Sequence, residues 1–231
     1  MAPSWLFPPA AAVGVPIAGD ERKLPVRRVF CVGRNYAAHA REMGANPERE
    51  PPFFFGKPAD AVVTGREVPW PGGTDDLQHE VELVVAIGAG GRDIDAASAL
   101  QHAFGYAVGV DLTRRDLQAE AKRLGRPWDV AKGFDHSAPV GAIIPASDSG
   151  HPAQGAITLA VNGETRQRGD LADMLWPVAD VIARLSRFFE LRPGDLVFTG
   201  TPEGVGRLQQ GDRVEAHIEG IGELVFRMGD G

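Results

Sequence analysis

The sequence lacks most of the motifs that would assign it to a common class of enzyme. It has a single cysteine, Cys31, among 231 residues, which excludes an internal disulfide and any Cys-x-x-Cys motif. It has no Gly-x-Gly-x-x-Gly fingerprint, Walker loop, Gly-x-Ser-x-Gly elbow or His-Glu-x-x-His pair. Dinucleotide-binding, P-loop, serine-hydrolase and zincin chemistry therefore have no support. Cys31 lies in an apolar run and is predicted to be a core residue.

Positive charge is also scarce. The formal net charge is −7 and the pI is near 5.4, so the chain has no basic surface for nucleic acid or an anionic membrane. Residues 1–19 are apolar but contain four prolines and no basic segment, which argues against a signal peptide and against a spanning helix. We predict a cytoplasmic protein with an N-terminal arm over residues 1–24.

Glycine and proline, by contrast, are abundant. The 29 glycines and 18 prolines divide the chain into short elements, which is typical of a sheet-rich α+β fold with a few short helices. We predict one domain over residues 25–231. Predicted strands lie at residues 28–32, 61–63, 81–87, 104–110, 140–144, 156–162 and 196–198, with two more over 213–228. Predicted helices span residues 36–43 with Asn35 as cap, a short segment from Asp95, 114–124, and 177–190, whose apolar stripe extends to Phe188 and Phe189.

Acidic side chains lie at the ends of two apolar strands. Glu80-Val81-Glu82 begins one predicted strand. Side chains two residues apart in a strand point to the same face, so both carboxylates lie together. Asp111 directly follows another apolar run, residues 106–110. Buried acids need a compensating cation, and an oxygen-rich site suits Mg²⁺ or Mn²⁺ better than zinc. The alternative is that Glu80 and Glu82 form the solvated face of a half-exposed strand.

A histidine and a glutamate are spaced as neighbours on the first predicted helix. His39 and Glu42 are three residues apart, so their side chains lie together on a helix. A carboxylate that orients an imidazole is the usual way to build a base that activates water. The alternative is a solvated surface pair.

Two lysines lie among apolar residues. Lys57 follows three phenylalanines, and Lys132 lies in Val-Ala-Lys-Gly-Phe. Each could stabilise carboxylate or enolate oxygens, or could extend its amine to solvent. Gln118, considered without the other motifs, would be predicted as a surface residue. The role of His136 stays open. The loop at residues 199–206 has hydroxyls and backbone donors that could bind a carboxylate.

The order of these motifs resembles the fumarylacetoacetate hydrolase family. That order is Gly-Arg-Asn-Tyr-x-x-His-x-x-Glu, Phe-x-Lys-Pro, Glu-x-Glu, Asp-x-Thr-x-x-Asp-x-Gln, Lys-x-Phe-Asp and Thr-Gly-Thr-Pro-x-Gly-Val-Gly. The resemblance begins near residue 25 and extends to the C-terminus. It implies the mixed β-sandwich or roll of the fumarylacetoacetase C-terminal domain, and a homodimer.

The resemblance also implies roles for individual residues. A divalent ion, Mg²⁺ or Mn²⁺, would be bound by Glu80, Glu82 and Asp111. His39 and Glu42 would form the water-activating dyad. Further active-site groups would be Lys132, Gln118 and the carboxylate-binding Thr201.

The chain has the length of the family's short, acylpyruvase-type members. Residues 25–36 and 49–55 are most similar to its bacterial fumarylpyruvate hydrolases of gentisate breakdown. The expected reaction is metal-dependent hydrolysis of a 2,4-diketo acid, above all 3-fumarylpyruvate, to fumarate and pyruvate. Its second carboxylate needs a cation, for which the candidates are Arg34, Arg41, Lys57 and Arg115. The alternatives are oxaloacetate decarboxylation, isomerisation of a keto acid, and a non-catalytic binding protein.

Overall fold

The computed structural model describes residues 5–42 and 51–230. The strands are β1 Gly14–Ile17, β2 Asp20–Pro25, β3 Arg28–Gly33, β4 Phe53–Lys57, β5 Val62–Val63, β6 Glu67–Val68, β7 Leu77–His79, β8 Val81–Ile87, β9 Ala103–Val110, β10 Thr113–Arg114, β11 Ala138–Pro139, β12 Ile144–Pro145, β13 Ala156–Val161, β14 Glu164–Asp170, β15 Asp195–Phe198, β16 Gly206–Arg207, β17 Arg213–Ile218 and β18 Gly222–Met228. The helices are α1 Ala37–Glu42, α2 Arg115–Leu124, α3 Asp129–Lys132, α4 Ala146–Ser149 and α5 Val178–Phe188. Short 3₁₀ turns cover Ala59–Ala61, Ala99–His102 and Leu171–Asp173.

Two large sheets form the body of the protein. One has six strands in the order β12-β9-β8-β15-β3-β4, and the other has five in the order β14-β13-β17-β18-β6. Both are mixed, because β15 runs parallel to β3 and β18 runs parallel to β6, whereas their other neighbours are antiparallel. The predicted sheet-rich α+β fold with short helices is confirmed.

Strand β8 lies at the centre of the core and is buried at every position. Leu83, Val85 and Ile87 belong to the main hydrophobic cluster, which also contains residues of β13, β17 and β18. Val84 and Ala86, on the other face, belong to a second cluster. The residues from Leu83 to Ile87 are therefore all apolar, since both faces of the strand are covered there.

The N-terminal segment forms a hairpin against this second cluster. Strands β1 and β2 pair in antiparallel fashion, and Val15 and Leu24 are buried in the cluster. The Ala18 amide donates to the Ile143 carbonyl at 2.9 Å. Residues 14–25 thus pack on the body of the protein. The predicted boundary between an arm and a domain at residue 25 stays a prediction.

Two predicted elements differ from those in the structure. The segment from Asp95 forms turns and then the 3₁₀ turn Ala99–His102, because the Ser98 amide and hydroxyl both bind the Asp95 carbonyl at 3.0 and 3.2 Å. Such local bonds compete with a helix. The predicted strand at 140–144 is replaced by two short strands, β11 Ala138–Pro139 and β12 Ile144–Pro145. The amides of residues 140, 141 and 143 bind three different neighbours, the carbonyls of Val63, Val108 and Pro16.

The predicted helix at 177–190 is present as α5, but it is shorter. Val178, Val181, Ile182 and Leu185 are buried as expected, whereas Phe188 and Phe189 are 62% and 38% exposed. The helix ends at Phe188, beyond the edge of the core. Met43, the predicted end of the first helix, lies outside the described residues, as do residues 49–50 of the family motif. No helix in the described part of the chain is long and apolar enough to span a membrane.

Candidate active site and metal centre

Strand pairing brings the predicted site residues to one edge of the six-stranded sheet. Val81 pairs with Val110 across the antiparallel strands β8 and β9, which places Glu80 beside Asp111, and the Asp111 amide donates to the Glu80 carbonyl at 2.8 Å. Strand β15 ends at the same edge, because it is antiparallel to β8, and the glycine-rich loop follows it. Strand β3 is parallel to β15, so helix α1 also begins there.

Three acids converge at this edge and form what we call the acid cluster: Glu80, Glu82 and Asp111. Their side chains could offer ligand oxygens that all lie within 4.8 Å of one another. The three residues are 5%, 2% and 0% exposed, so a half-exposed strand with a solvated face is excluded. Asp111 Oδ1 is buried and has no hydrogen-bond partner among the described residues. A donor set made only of carboxylate oxygens fits Mg²⁺ or Mn²⁺.

Three basic side chains, which we call the cation cluster, surround these acids: Lys57, Lys132 and Arg115. Lys132 Nζ lies 2.8 Å from Glu80 Oε2, 2.7 Å from Asp111 Oδ2 and 2.6 Å from the Thr113 hydroxyl. Lys57 Nζ forms an ion pair with Asp111 Oδ1 at 2.8 Å. Its Nζ also contacts the Lys132 and Leu112 carbonyls. Arg115 contacts Glu80 directly.

The neighbouring charges shift the pKa values of Glu80 and Glu82 in opposite directions. Burial alone would raise the pKa of Glu80, but Lys132, Arg115 and His39 together hold it below its ordinary value. Burial raises the pKa of Glu82 well above its ordinary value, and the charges of Asp111 and Glu80 raise it further. Without an ion, the surroundings therefore favour the ionised form of Glu80 and the protonated form of Glu82.

The glycine-rich loop positions Glu82, a role that the sequence did not predict. The Gly200 amide donates to Glu82 Oε2 at 2.6 Å. Gly200 has a φ of 99°, and a Cβ there would lie 2.7 Å from that of Asn35. Asn35, predicted as a helix cap, instead donates to the carbonyls of Thr199 and Trp176 and accepts from the Trp176 amide. It holds the loop against the start of α1.

The predicted His39–Glu42 pair is formed and faces the acid cluster. His39 is buried, so a solvated surface pair is excluded. Its Nδ1 lies 3.2 Å from Glu42 Oε2, and Glu42 also accepts from the Gly204 amide at 3.1 Å. Because a carboxylate only accepts, Nδ1 donates to Glu42, and in the neutral ring the lone pair is then on Nε2. This is the tautomer that a general base requires.

Thr201 is oriented by a buried chain of polar groups that sequence reasoning missed. Gln167 Nε2 donates to the Thr201 hydroxyl at 2.8 Å, and Gln167 Oε1 accepts from His79 Nδ1 at 2.9 Å and from the Val81 amide. Burial lowers the pKa of His79, which keeps its ring neutral. The Thr201 oxygen is thus occupied as an acceptor, and its own proton is free to donate to a ligand. Gln167 is one buried residue in a mostly exposed strand, which gives no signal in the sequence.

Known proteins match this chain over most of its length. Residues 28–228 match the family model described as fumarylacetoacetate (FAA) hydrolase C-terminal. The chain belongs to the fumarylacetoacetate hydrolase family. A fumarylpyruvate hydrolase from Pseudomonas aeruginosa, solved in complex with Mn²⁺ and pyruvate, is 56% identical with a TM-score of 0.97, covering 99% of this chain and 100% of that one.

Curated relatives in the family include oxaloacetate tautomerases. That of Escherichia coli (strain K12) is 44% identical over 198 residues, which is 85% of this chain and 90% of that protein. The mitochondrial enzyme of Mus musculus is 40% identical over 203 residues, which is 87% of this chain and 91% of that protein. The family is therefore established for this chain, and two activities occur among its relatives.

The pocket of this family member contains most, but not all, of the predicted residues. The predicted residues that line it are Arg34, His39, Glu80, Glu82, Asp111, Arg115, Gln118, Lys132 and Thr201. Arg41 lines a separate cavity with Tyr36 and Glu203, while Lys57 lies behind Asp111. His136 is not part of the lining. The catalytic and substrate-binding roles of these residues stay predictions.

The pocket also contains side chains that the sequence did not single out. Phe53, Phe55 and Trp128 form an aromatic wall, and Lys122 lies beside it. Lys122 follows Arg115 and Gln118 at positions i+7 and i+4 on α2, so all three lie on one helical face. That spacing was the available signal for Lys122. Nothing in the sequence indicated the aromatic wall.

Proposed function

We propose that this protein hydrolyses the carbon–carbon bond of an acylpyruvate, with 3-fumarylpyruvate as the preferred substrate. The observation that carries the proposal is the buried acid cluster in one pocket with an oriented His39–Glu42 pair. The likeness to the P. aeruginosa fumarylpyruvate hydrolase supports the choice of substrate. In the reaction, the oxygen of water bonds to the distal ketone carbon and the bond to the pyruvoyl methylene breaks. That methylene takes up a proton and leaves as pyruvate.

The acid cluster would hold the divalent ion. Bound there, Mg²⁺ or Mn²⁺ would supply Lewis-acid chemistry at the pyruvoyl oxygens. Lys132 and Lys57 fix the orientation of Asp111, and the Gly200 amide fixes that of Glu82. The oxygens are thus held in place before a ligand arrives, which reduces the cost of reorganisation.

The dyad would activate water. His39 Nε2 accepts the proton of the attacking water, while Glu42 keeps the ring in the required tautomer and stabilises the resulting positive charge. The Gly204 amide holds Glu42 in turn. The base is therefore tied to the loop that carries Thr201.

Two neutral groups would bind and orient the substrate. The Thr201 hydroxyl donates to the substrate carboxylate, since Gln167 occupies its oxygen. Gln118 Oε1 accepts from Arg115 at 2.7 Å, so its amide protons are directed elsewhere, toward the pocket that it lines. Both groups act as donors at positions where negative charge accumulates.

Oxaloacetate tautomerisation is the second candidate, and the identity with the E. coli and mouse tautomerases favours it. That reaction moves a proton between carbon and oxygen and adds no water. Oxaloacetate decarboxylation, the other alternative from the sequence, needs no activated water either. The predicted homodimer and cytoplasmic location stay predictions.

The test is turnover of purified protein with Mg²⁺ or Mn²⁺ on fumarylpyruvate, acetylpyruvate and oxaloacetate. We expect pyruvate release from fumarylpyruvate, and His39→Ala should lower kcat about 10²–10⁴-fold without changing metal affinity. His217→Ala, an exposed histidine, is the matched control. Enolisation of oxaloacetate without cleavage of any acylpyruvate would reject hydrolysis in favour of the second candidate.

A further inference from the structure

Two basic side chains of the pocket have no counter-charge. Arg34 and Lys122 both line it, yet neither makes a hydrogen bond or ion pair with the residues that the structure describes. Lys132 and Arg115, in contrast, are ion-paired to the acid cluster. Both residues are exposed to solvent, so their charges are available to an anionic ligand that enters the pocket.

An aromatic wall places these cations away from the metal centre. Lys132 Nζ lies 5.2 Å from the centroid of the Phe55 ring, which contacts Trp128 at 5.8 Å. Lys122 Nζ lies 5.3 Å from the Trp128 centroid. Trp128 in turn meets Phe53 edge-on at 5.5 Å, with the Arg34 guanidinium 5.7 Å from the Phe53 ring. These ring contacts extend outward from the acid cluster and end at the two unpaired cations, Lys122 and Arg34.

The free cations repel their neighbours. The pKa of Lys122 is lowered to about 8, first by burial and then by the charges of Arg115, Arg34 and Lys132. An anion bound between Lys122 and Arg34 would relieve this repulsion and restore the pKa. Arg34 also has a φ of 58°, a backbone conformation that is rare outside glycine and concentrates at functional sites.

The other candidates for a distal cation are already engaged. Lys57 is fully buried against Asp111 and two carbonyls. Arg115 uses its nitrogens on Gln78, Gln118 and Glu80. Arg41 lines a different cavity. Of the four arginines and lysines predicted from the sequence, Arg34 alone has both a place in the pocket and a free charge.

We infer that Lys122 and Arg34 bind the second carboxylate of a dicarboxylic 2-oxo acid, at the end of the pocket opposite the acid cluster. The inference rests on the proposed function for the orientation of the substrate. The aromatic wall between the two ends suits a flat, conjugated chain. Lys122 and Arg34 are thus specificity-determining residues that select a diacid over an acylpyruvate with an apolar end.

The test uses two ligands that cannot be cleaved because they lack a second ketone. These are 2-oxoheptanedioate, with a carboxylate at each end, and 2-oxoheptanoate, with a methyl group in its place. Calorimetry on the Mn²⁺-loaded protein should give about tenfold or tighter binding of the diacid, as expected for charged hydrogen bonds. Lys122→Met and Arg34→Met should each remove most of that preference and leave the Kd of the monoacid unchanged.

Controls separate charge from packing. Arg123→Met, one residue further on the exposed side of α2, should keep the full preference, and Lys122→Arg should keep most of it. In the wild type the preference should weaken above about pH 8, where Lys122 loses its proton, whereas Lys122→Arg should not show this change. Equal weakening of both ligands in Lys122→Met, or an unchanged preference, would overturn the inference.

The design distinguishes this inference from the proposed function. Neither ligand is turned over, so the diacid preference is measured even if the protein cleaves no acylpyruvate. Cleavage of acetylpyruvate without any diacid preference would leave hydrolysis standing and reject the subsite. A diacid preference without cleavage would support the subsite and reject hydrolysis.

Discussion

Replacing Lys132 by methionine tests the electrostatics of the acid cluster most directly. The Lys132 side chain is 3% exposed and its Nζ lies within 2.8 Å of both Glu80 and Asp111. Its positive charge is retained, because the two carboxylates outweigh the effect of burial and raise its pKa. Methionine has a similar length and no charge, so the substitution removes the cation with little change in packing.

The expected loss of stability depends on the metal. Removing one partner of a buried ion pair costs about 3–5 kcal/mol, because the other charge remains buried. For a chain of this size, each kcal/mol lowers Tm by about 2–4 °C, so Lys132→Met should lower the Tm of the metal-free protein by about 6–20 °C. A bound divalent ion supplies positive charge to the same oxygens. With excess Mn²⁺ the loss should therefore be much smaller.

Thermal unfolding followed by circular dichroism, with chelator and with excess Mn²⁺, measures the loss of Tm without and with the metal. Lys23→Met, at an exposed position in β2, is the matched control and should have little effect in either condition. The variant should also bind Mn²⁺ more tightly than the wild type, since the ion no longer competes with an ammonium group. An equal fall in Tm with and without Mn²⁺, or weaker metal binding, would refute this account of the site.

Three further predictions concern the surroundings of the acid cluster. Because the pKa of Glu82 is raised, the metal-free folded state holds a proton that the unfolded state loses above the ordinary value of 4.5. Stability without metal should then fall as pH rises, metal binding should release this proton in calorimetry, and Glu82→Gln should abolish both effects. Gln167→Leu should raise KM severalfold through misorientation of Thr201, with kcat nearly unchanged in steady-state assays. Gly33→Ala should displace the Phe53 ring that lies over Gly33 and raise KM for the diacid substrate.

The convergence of the three acids could be predicted from the sequence because its determinants are local. Glu80 and Glu82 lie two residues apart at the start of an apolar strand, and Asp111 follows another such strand. Antiparallel pairing of β8 with β9 then brings the three together. The His39–Glu42 pair was predictable for the same reason, since helical spacing alone makes these side chains neighbours.

The supporting groups could not be predicted because they depend on tertiary contacts. Gly200 binds Glu82 from 118 residues away in the chain, and Gln167 reaches Thr201 across 34 residues. Asn35 is spaced like a helix cap, yet its amide binds Trp176 and Thr199 instead. A polar residue with several possible local roles is assigned only when the fold shows which partners surround it.

The balance of charge in the pocket is consistent with the proposed binding of both an ion and an anionic substrate. The cation cluster is ion-paired to Glu80 and Asp111, so these two buried carboxylates are neutralised before any ion arrives. A divalent ion would then add charge that the protein does not itself cancel. Arg34 and Lys122 leave the far end of the pocket positive as well. A 2-oxo diacid, with one carboxylate at each end, is the kind of ligand that satisfies both ends at once, whereas a monoacid leaves Arg34 and Lys122 unpaired.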